Sequence, residues 1–247
     1  MRAAGGPVPL EVNIREKAFP TEGGGRLVTI RDLSFSVGGG RFACLVGPSG
    51  CGKTTTLRLI LGLDGEFDGN VVKPQQGRTG VVFQDPRLLP WRSVDRNVRL
   101  PLAGERADAD LSGLYATLGL TGMENFFPGQ LSLGLARRVA LARAFALEPS
   151  LLLLDEPFVS LDEPTAERLR KLLMQVWSAR PTTALMVTHN LREALELADE
   201  IVMLSGRPAT VRGVYRIDTP REERTPQAVA DMLSEILAVF PPEEHEG

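Results

Sequence analysis

Apolar positions along the chain fall into two rhythms, and together they predict strands alternating with helices. From Leu10 to Val37 come strand-like runs, LEVNI and LVTIRDLSFSV, parted by the turn TEGGG. RFACLVG reads as a buried strand that runs into a glycine-rich loop. TGVVFQ (79–84), LLLLDE (151–156) and ALMVTH (184–189) are further unbroken apolar runs of strand length, with EIVMLSG (200–206) as a neighbour. Helical spacing appears in KTTTLRLILGL, through Leu57, Ile60 and Leu61, and stops at a glycine turn. In EPTAERLRKLLMQVWSA, Leu169, Leu172, Leu173, Val176 and Trp177 mark one face, and Pro164 sits in the first turn. NLREALELAD opens on Asn190 as an N-cap with Glu193 three residues on, a capping box.

This alternation predicts an α/β fold with a mostly parallel sheet covered on both sides. Residues 93–148 contain no convincing strand and read as a helical subdomain inserted into the main domain, 10–215. Residues 1–9 are small and proline-rich and are expected to be disordered. The stretch 216–247 reads as a charged tail carrying one amphipathic helix, PQAVADMLSEILAVF, packed on the core.

Composition changes little. The chain has 247 residues, 43% hydrophobic and 24% charged, as in an ordinary globular protein. A net charge of −3 argues against general affinity for nucleic acid. Two cysteines, Cys44 and Cys51, make no disulfide framework and imply a reducing, cytosolic setting. No stretch approaches the roughly 20 apolar residues that span a bilayer, and the start lacks the apolar core of a secretory signal. Work at a membrane would need another chain to hold this one there.

The chemistry concentrates at strand ends. GPSGCGKTT (47–55) fits the phosphate-loop pattern at Gly47, Gly52, Lys53 and Thr54. Gly50 and Gly52 let the backbone turn so that successive N–H groups point inward at phosphate oxygens, and Pro48, Ser49, Cys51 and Thr55 count with them as residues of the nucleotide-binding loop. The following helix adds its positive end and Lys53 a full charge near the β- and γ-phosphates, while the Thr54 hydroxyl is placed for Mg2+. Cys51 fills a variable loop position, and alkylating it is expected to block nucleotide binding; Cys44 reads as core. Asp155 and Glu156 end the leucine strand. Asp155 is a candidate magnesium ligand through water, and Glu156 a candidate base for the water attacking the γ-phosphate. His189 closes another strand, within reach of the same phosphate, whereas His245 has no assigned role.

Together these pieces resemble the ATPase subunit of ABC transporters over about residues 10–215. The Walker A sequence is GPSGCGKT, the Walker B sequence LLLLDE, the Q-loop residue Gln84 in VVFQDPRLLPW, the D-loop SLD with Asp162, and the switch histidine His189. Ser132 in LSLGLARR precedes Asp155 by 23 residues, the family's spacing for its LSGGQ signature, and His189 follows Glu156 by 33. The resemblance implies a P-loop NTPase with an antiparallel N-terminal β region, binding ATP and Mg2+. It implies that two copies face head to tail, so that Ser132 and Gly134 of one copy cap the γ-phosphate of ATP on the other. Gln84 would sense that phosphate through Mg2+ and water, and Phe19 in REKAFP would stack on adenine. The signature departs from the pattern: Leu133 replaces a glycine and Leu135 the glutamine, so Leu133 is expected to crowd the backbone or forbid a positive φ, with slower turnover.

Within the family, QDPRLLPW, SVDRNV and GRPATV look like nitrate, sulfonate or taurine importers. Those work with membrane permeases and an extracytoplasmic solute-binding protein, which places the chain peripherally on the cytoplasmic face of the inner membrane. LARRVALARAFALEPSLLLLDEPFVSLD also resembles ATPases of lipid-trafficking systems. Trp91 is expected either to line the groove for a permease helix or simply to pack. Rival classes are an ABC ATPase of DNA repair or translation, against which the missing coiled-coil insertion and single cassette speak, and a nucleotide-gated module with little hydrolysis, against which Glu156 and His189 speak.

Overall fold

The computed structural model describes residues 9–74, 77–102 and 104–241, without the side chain of Glu105. The expected disorder at the N-terminus lies outside the described residues apart from Pro9, as does His245. Along the chain come strands β1 (Leu10–Pro20), β2 (Arg26–Val37) and β3 (Phe42–Val46), helix α1 (Lys53–Leu61), and strands β4 (Asp68–Val72) and β5 (Thr79–Val82). Helices α2 (Val94–Val98), α3 (Ser112–Leu118) and α4 (Leu133–Ala146) lead to β6 (Leu151–Asp155) and α5 (Glu163–Ala179). Then follow β7 (Thr183–Thr188), α6 (Leu191–Leu197), β8 (Glu200–Leu204), β9 (Val211–Arg216) and α7 (Pro226–Val239).

These elements form two compact units, one comprising the described residues up to 74 together with those from Thr183 onward, the other running from 77 to Thr182. In the first unit, strands run in the order β7-β3-β8-β9, parallel except for β9. Every residue of β3 and β7 is buried, which is why both read as unbroken apolar runs. A second, antiparallel sheet, β2-β1-β4, has one face buried, and β1 alternates accordingly: Leu10, Val12 and Ile14 inward, Glu11, Asn13 and Arg15 outward. Val229, Met232 and Ile236 of α7 are buried, so the amphipathic helix expected in the tail forms and packs.

In the second unit, β5 and β6 pair in parallel, and α4 packs against α2, α3 and α5. Leu169, Leu173 and Trp177 of α5 are buried, with the Trp177 indole N–H donating to the Thr182 carbonyl at 2.9 Å. No strand occurs among the described residues of 93–148, as the sequence predicts. At Asn190 the capping box forms only by half. Its side chain accepts from the N–H groups of Arg192 and Glu193, but its own N–H donates to the Thr188 hydroxyl, which in turn donates to Glu193. The hydroxyl two residues upstream outcompetes the glutamate for that N–H.

Candidate functional site

Strand register decides which groups emerge together. In the first unit Val46 lies opposite Thr188, so the loop from Gly47 and the residue His189 leave neighbouring parallel strands at the same level. This is the carboxyl edge, where open α/β sheets bind ligands. In the second unit Val82 lies opposite Leu154, so Gln84 follows one strand end while Asp155 closes the neighbouring strand and Glu156 follows it.

The loop after β3 is shaped by its glycines. Gly50 has φ +74° and Gly52 φ +126°, values that side chains other than hydrogen resist. A Cβ on Gly47 would lie 2.9 Å from Leu204 Cβ and 3.0 Å from Cys51 Sγ, and one on Gly52 would lie 3.3 Å from Thr29 Cγ2. The loop therefore nestles against β8 and β2 with no room for larger residues. Lys53 is buried, and its Nζ donates to the carbonyls of Gly47 and Pro48, both at 2.8 Å, which folds the ammonium back over the turn. Gly52 opens α1 without a side-chain cap. This bent backbone, uncapped helix start and folded-back ammonium fit a phosphate chain. Thr54 and Ser49 are exposed and Thr55 half-buried. Cys51 is buried, and burial raises its thiol pKa against the opposing charge of Lys53. Such a thiol is not primed for redox chemistry. Cys44 is fully buried, as expected of core.

Phe19 is half-buried near the end of β1, beside Leu27 of β2. It lines a cavity of about 550 Å3 with Ala18, Pro20, Arg26 and Phe67. The Lys17 ammonium lies 4.6 Å from its ring centroid, and its Nζ donates to the Glu66 carbonyl. A ring held by a cation on one face makes a firm platform for a heterocycle on the other.

In the second unit Asp155 is buried at the end of β6, and Glu156 follows at φ +41°, a left-handed conformation unusual for a non-glycine residue. Gln84 is exposed in the bend after β5. Among the described residues no cluster of three or more His, Cys, Asp or Glu side chains could hold a metal ion. Magnesium needs no such cage, because one hydroxyl and one carboxylate with phosphate oxygens and water satisfy it, and Thr54 and Asp155 have the right chemistry.

Ser132 is the N-cap of α4, its Oγ accepting from Leu135 N–H at 3.3 Å. Leu133 does not take the feared positive φ; it begins the helix with its side chain 43% exposed, so the departure from glycine costs no backbone strain there. Gly134 is buried, and a Cβ on it would lie 2.8 Å from Thr165 Cγ2. The Thr165 hydroxyl and N–H both donate to Asp162, which caps α5 and has its pKa lowered by those bonds, the hydroxyl's first. One threonine thus joins the signature helix to the D-loop aspartate.

Three polar residues escape sequence reasoning. Arg137 of α4 is buried and donates to the carbonyls of Phe83 (3.4 Å) and Val159 (3.2 Å), tying the loop before Gln84 to the loop after Glu156. Arg143 donates to the carbonyls of Pro86 and Arg87. Asn97, fully buried, accepts from Leu89 N–H and donates to the carbonyls of Leu89, Arg92 and Ser93. It holds the loop that presents Trp91, whose side chain is 70% exposed and so is not packing residue material. A polar side chain at an otherwise apolar helical position was the one available signal.

Residues 30–159, more than half of the chain, match the family model of the ABC transporter. The chain belongs to that family. Among curated ABC proteins it is 37% identical over 239 residues to the aliphatic sulfonates import ATP-binding protein SsuB of Bacillus subtilis (strain 168), covering 93% of each. It is 38% identical to SsuB 2 of Pseudomonas syringae pv. tomato (strain ATCC BAA-871 / DC3000) over 92% of this chain and 97% of that one. Among solved ABC structures, the dimeric structure of MJ0796, a bacterial ABC transporter cassette, superposes with a TM-score of 0.74 at 26% identity. It covers 85% of this chain and 100% of the other. A dimeric post-hydrolysis state of the same cassette, bound to ADP and Pi, gives a TM-score of 0.71 at the same identity and coverage. No helix among the described residues is long and apolar enough to cross a membrane.

Proposed function

We propose that this ABC ATPase powers import of a small solute of the aliphatic sulfonate class, working as two copies on a membrane permease. The observation that carries this reading is the near full-length similarity to the aliphatic sulfonate import proteins. It favours the importer over the lipid-trafficking alternative.

In this reading Lys53 and the N–H groups of residues 50–55 hold the β- and γ-phosphates of ATP, and Phe19 stacks on adenine. Thr54 and Asp155 would hold Mg2+, with Gln84 reaching it through water; the ion supplies charge neutralisation. Glu156 orients the attacking water and takes its proton, and His189 hydrogen-bonds the γ-phosphate. Ser132, Gly134 and the start of α4 cap the γ-phosphate held by the second copy, with Asp162 at the same junction. ATP drives the pair together because it binds the closed state better than the open one. Trp91 contacts the permease, which keeps the chain on the cytoplasmic face of the membrane, and an extracytoplasmic solute-binding protein delivers the cargo.

The test is ATPase activity of the permease-bound complex in proteoliposomes, with loaded solute-binding protein added in turn with an alkanesulfonate, taurine or nitrate. Stimulation by the alkanesulfonate, abolished by Glu156→Gln, is expected. Stimulation by nitrate alone would overturn the solute class, and undiminished hydrolysis by the variant would overturn the role of Glu156.

A further inference from the structure

The segment 205–210, which overlaps the stretch GRPATV, reaches the phosphate loop with the side chain of Arg207. Arg207 donates to the Gly50 carbonyl from both Nε (3.2 Å) and Nη2 (2.7 Å), across 157 residues of sequence. An exposed arginine resting on a carbonyl is ordinarily worth little, because the side chain is mobile and water competes. Here the chain on either side of it is fastened independently. Ser205 N–H donates to the Thr210 carbonyl, and Thr210 N–H donates to Ser205 Oγ. Ala209 is stitched to β2 from both sides, its N–H on the Thr29 carbonyl at 2.8 Å and its carbonyl accepting from Arg31 N–H at 3.0 Å. Thr29 is also the residue that a Cβ on Gly52 would meet. The phosphate loop and the loop bearing Arg207 therefore rest on one stretch of one strand, and the guanidinium is delivered to Gly50 from a fixed base.

What it grips matters. A trans peptide is planar, with its C=O and N–H pointing opposite ways, so holding the Gly50 oxygen fixes the direction of Cys51 N–H. That N–H is turned back on the Pro48 carbonyl at 3.3 Å. Gly50, at φ +74° and without a side chain, is the place where this peptide plane would flip at least cost. The fork of the guanidinium suits the task better than an ammonium would, because it supplies two N–H groups in a rigid plane.

We propose that Arg207 is a positioning residue for ATP binding: it locks the peptide between Gly50 and Cys51 in the shape that receives phosphate. The inference rests on the reading of residues 47–55 as the nucleotide loop. Locking acts before the ligand arrives, so it strengthens MgATP and MgADP alike and its loss falls on Kd and KM rather than on kcat.

The experiment measures MgATP and MgADP affinity by calorimetry in the full chain carrying Arg207→Ala, Arg207→Lys or Lys53→Ala. Alongside it, the rate of Cys51 modification by a thiol reagent is followed without nucleotide, with the modified peptide assigned by mass. Arg207→Ala should weaken both nucleotides about tenfold, as expected for loss of a charge-assisted hydrogen bond. Arg207→Lys should recover less than half of that loss. The buried Cys51 should react at least about fivefold faster in both variants, because the turn covering it opens. Unchanged affinities with an unchanged thiol rate would overturn the proposal, and so would full recovery by lysine, which would assign the effect to charge alone. Lys53→Ala separates the two levels. If it leaves affinity intact, the nucleotide-loop reading fails; if it abolishes binding while Arg207→Ala does nothing, only the role of Arg207 falls.

Discussion

Gly134 offers a way to tell a packing glycine from one kept for its ligand. Replacing it with alanine adds a methyl carbon 2.8 Å from Thr165 Cγ2, where carbon atoms prefer about 3.5–4.0 Å. Thr165 is β-branched and stands on α5 with its hydroxyl committed to Asp162, so the methyl group cannot swing aside without breaking a cap. Either α4 and α5 separate or a rotamer strains, at about 1–3 kcal/mol for overpacking. Alanine returns up to about 1 kcal/mol through better helix propensity. The net expectation is destabilisation by about 1–2 kcal/mol, or roughly 3–6 °C in Tm for a chain of this size. Thr165→Ser removes the obstructing methyl and keeps the hydroxyl that caps with Asp162. The assay is a double-mutant cycle by thermal and urea unfolding, with ATPase activity followed in parallel. The double variant should regain most of the lost stability, with a coupling energy of about 1 kcal/mol or more. Additive effects would refute the packing argument. Restored stability without restored ATPase would show that the backbone at Gly134 has a second duty toward nucleotide.

Two further predictions follow from groups outside the phosphate loop. Asn97→Leu leaves the Leu89 N–H and the Arg92 carbonyl without their side-chain partner, at about 1–3 kcal/mol each when desolvated, so Tm should fall by roughly 5–10 °C; a fall under about 2 °C would contradict the role given to that amide. Glu148 is held by Arg106 and Arg180, and hydrogen bonds from the two guanidiniums bring its pKa down to about 2. Because the folded pKa is depressed, its contribution is complete above the ordinary value of 4.5 and fades as pH drops towards 2. With the carboxylate 45% exposed, solvent reduces the contribution to about 1 kcal/mol near neutral pH. The stability gap between wild type and Glu148→Gln in urea should therefore shrink between about pH 7 and pH 3, and a constant gap would sink the assignment.

What could be read from the chain followed how locally each feature is encoded. Strands β3, β6 and β7 are buried throughout, so their apolar runs announce them without ambiguity. Strand β4, DGNVV, hides behind Gly69 at φ +142° and a register shift in its partner, which break the alternation that marks a half-buried strand. Strand β9 carries Gly213 in its middle, where a Cβ would lie 2.5 Å from the Phe240 ring, a contact with a residue 27 positions away. The phosphate-loop pattern and the paired acids stand out in the sequence because each sits at a strand end, where local spacing sets direction, whereas Ser132 stands out only through the resemblance to the ABC signature. Arg137 and Arg207 do not, since their partners are carbonyls brought near only by the fold, and every carbonyl looks alike in a sequence; Asn97 bonds within eight residues of itself, but to backbone groups that carry no mark in the sequence.

Asp162 holds the first turn of a seventeen-residue helix through two bonds from Thr165. The two oxygens of an ionised carboxylate offer about four acceptor sites, so a neighbouring donor can take up Asp162 without orphaning the Thr165 N–H. The aspartate can therefore serve such a neighbour and its own helix together, and α5 keeps its cap throughout.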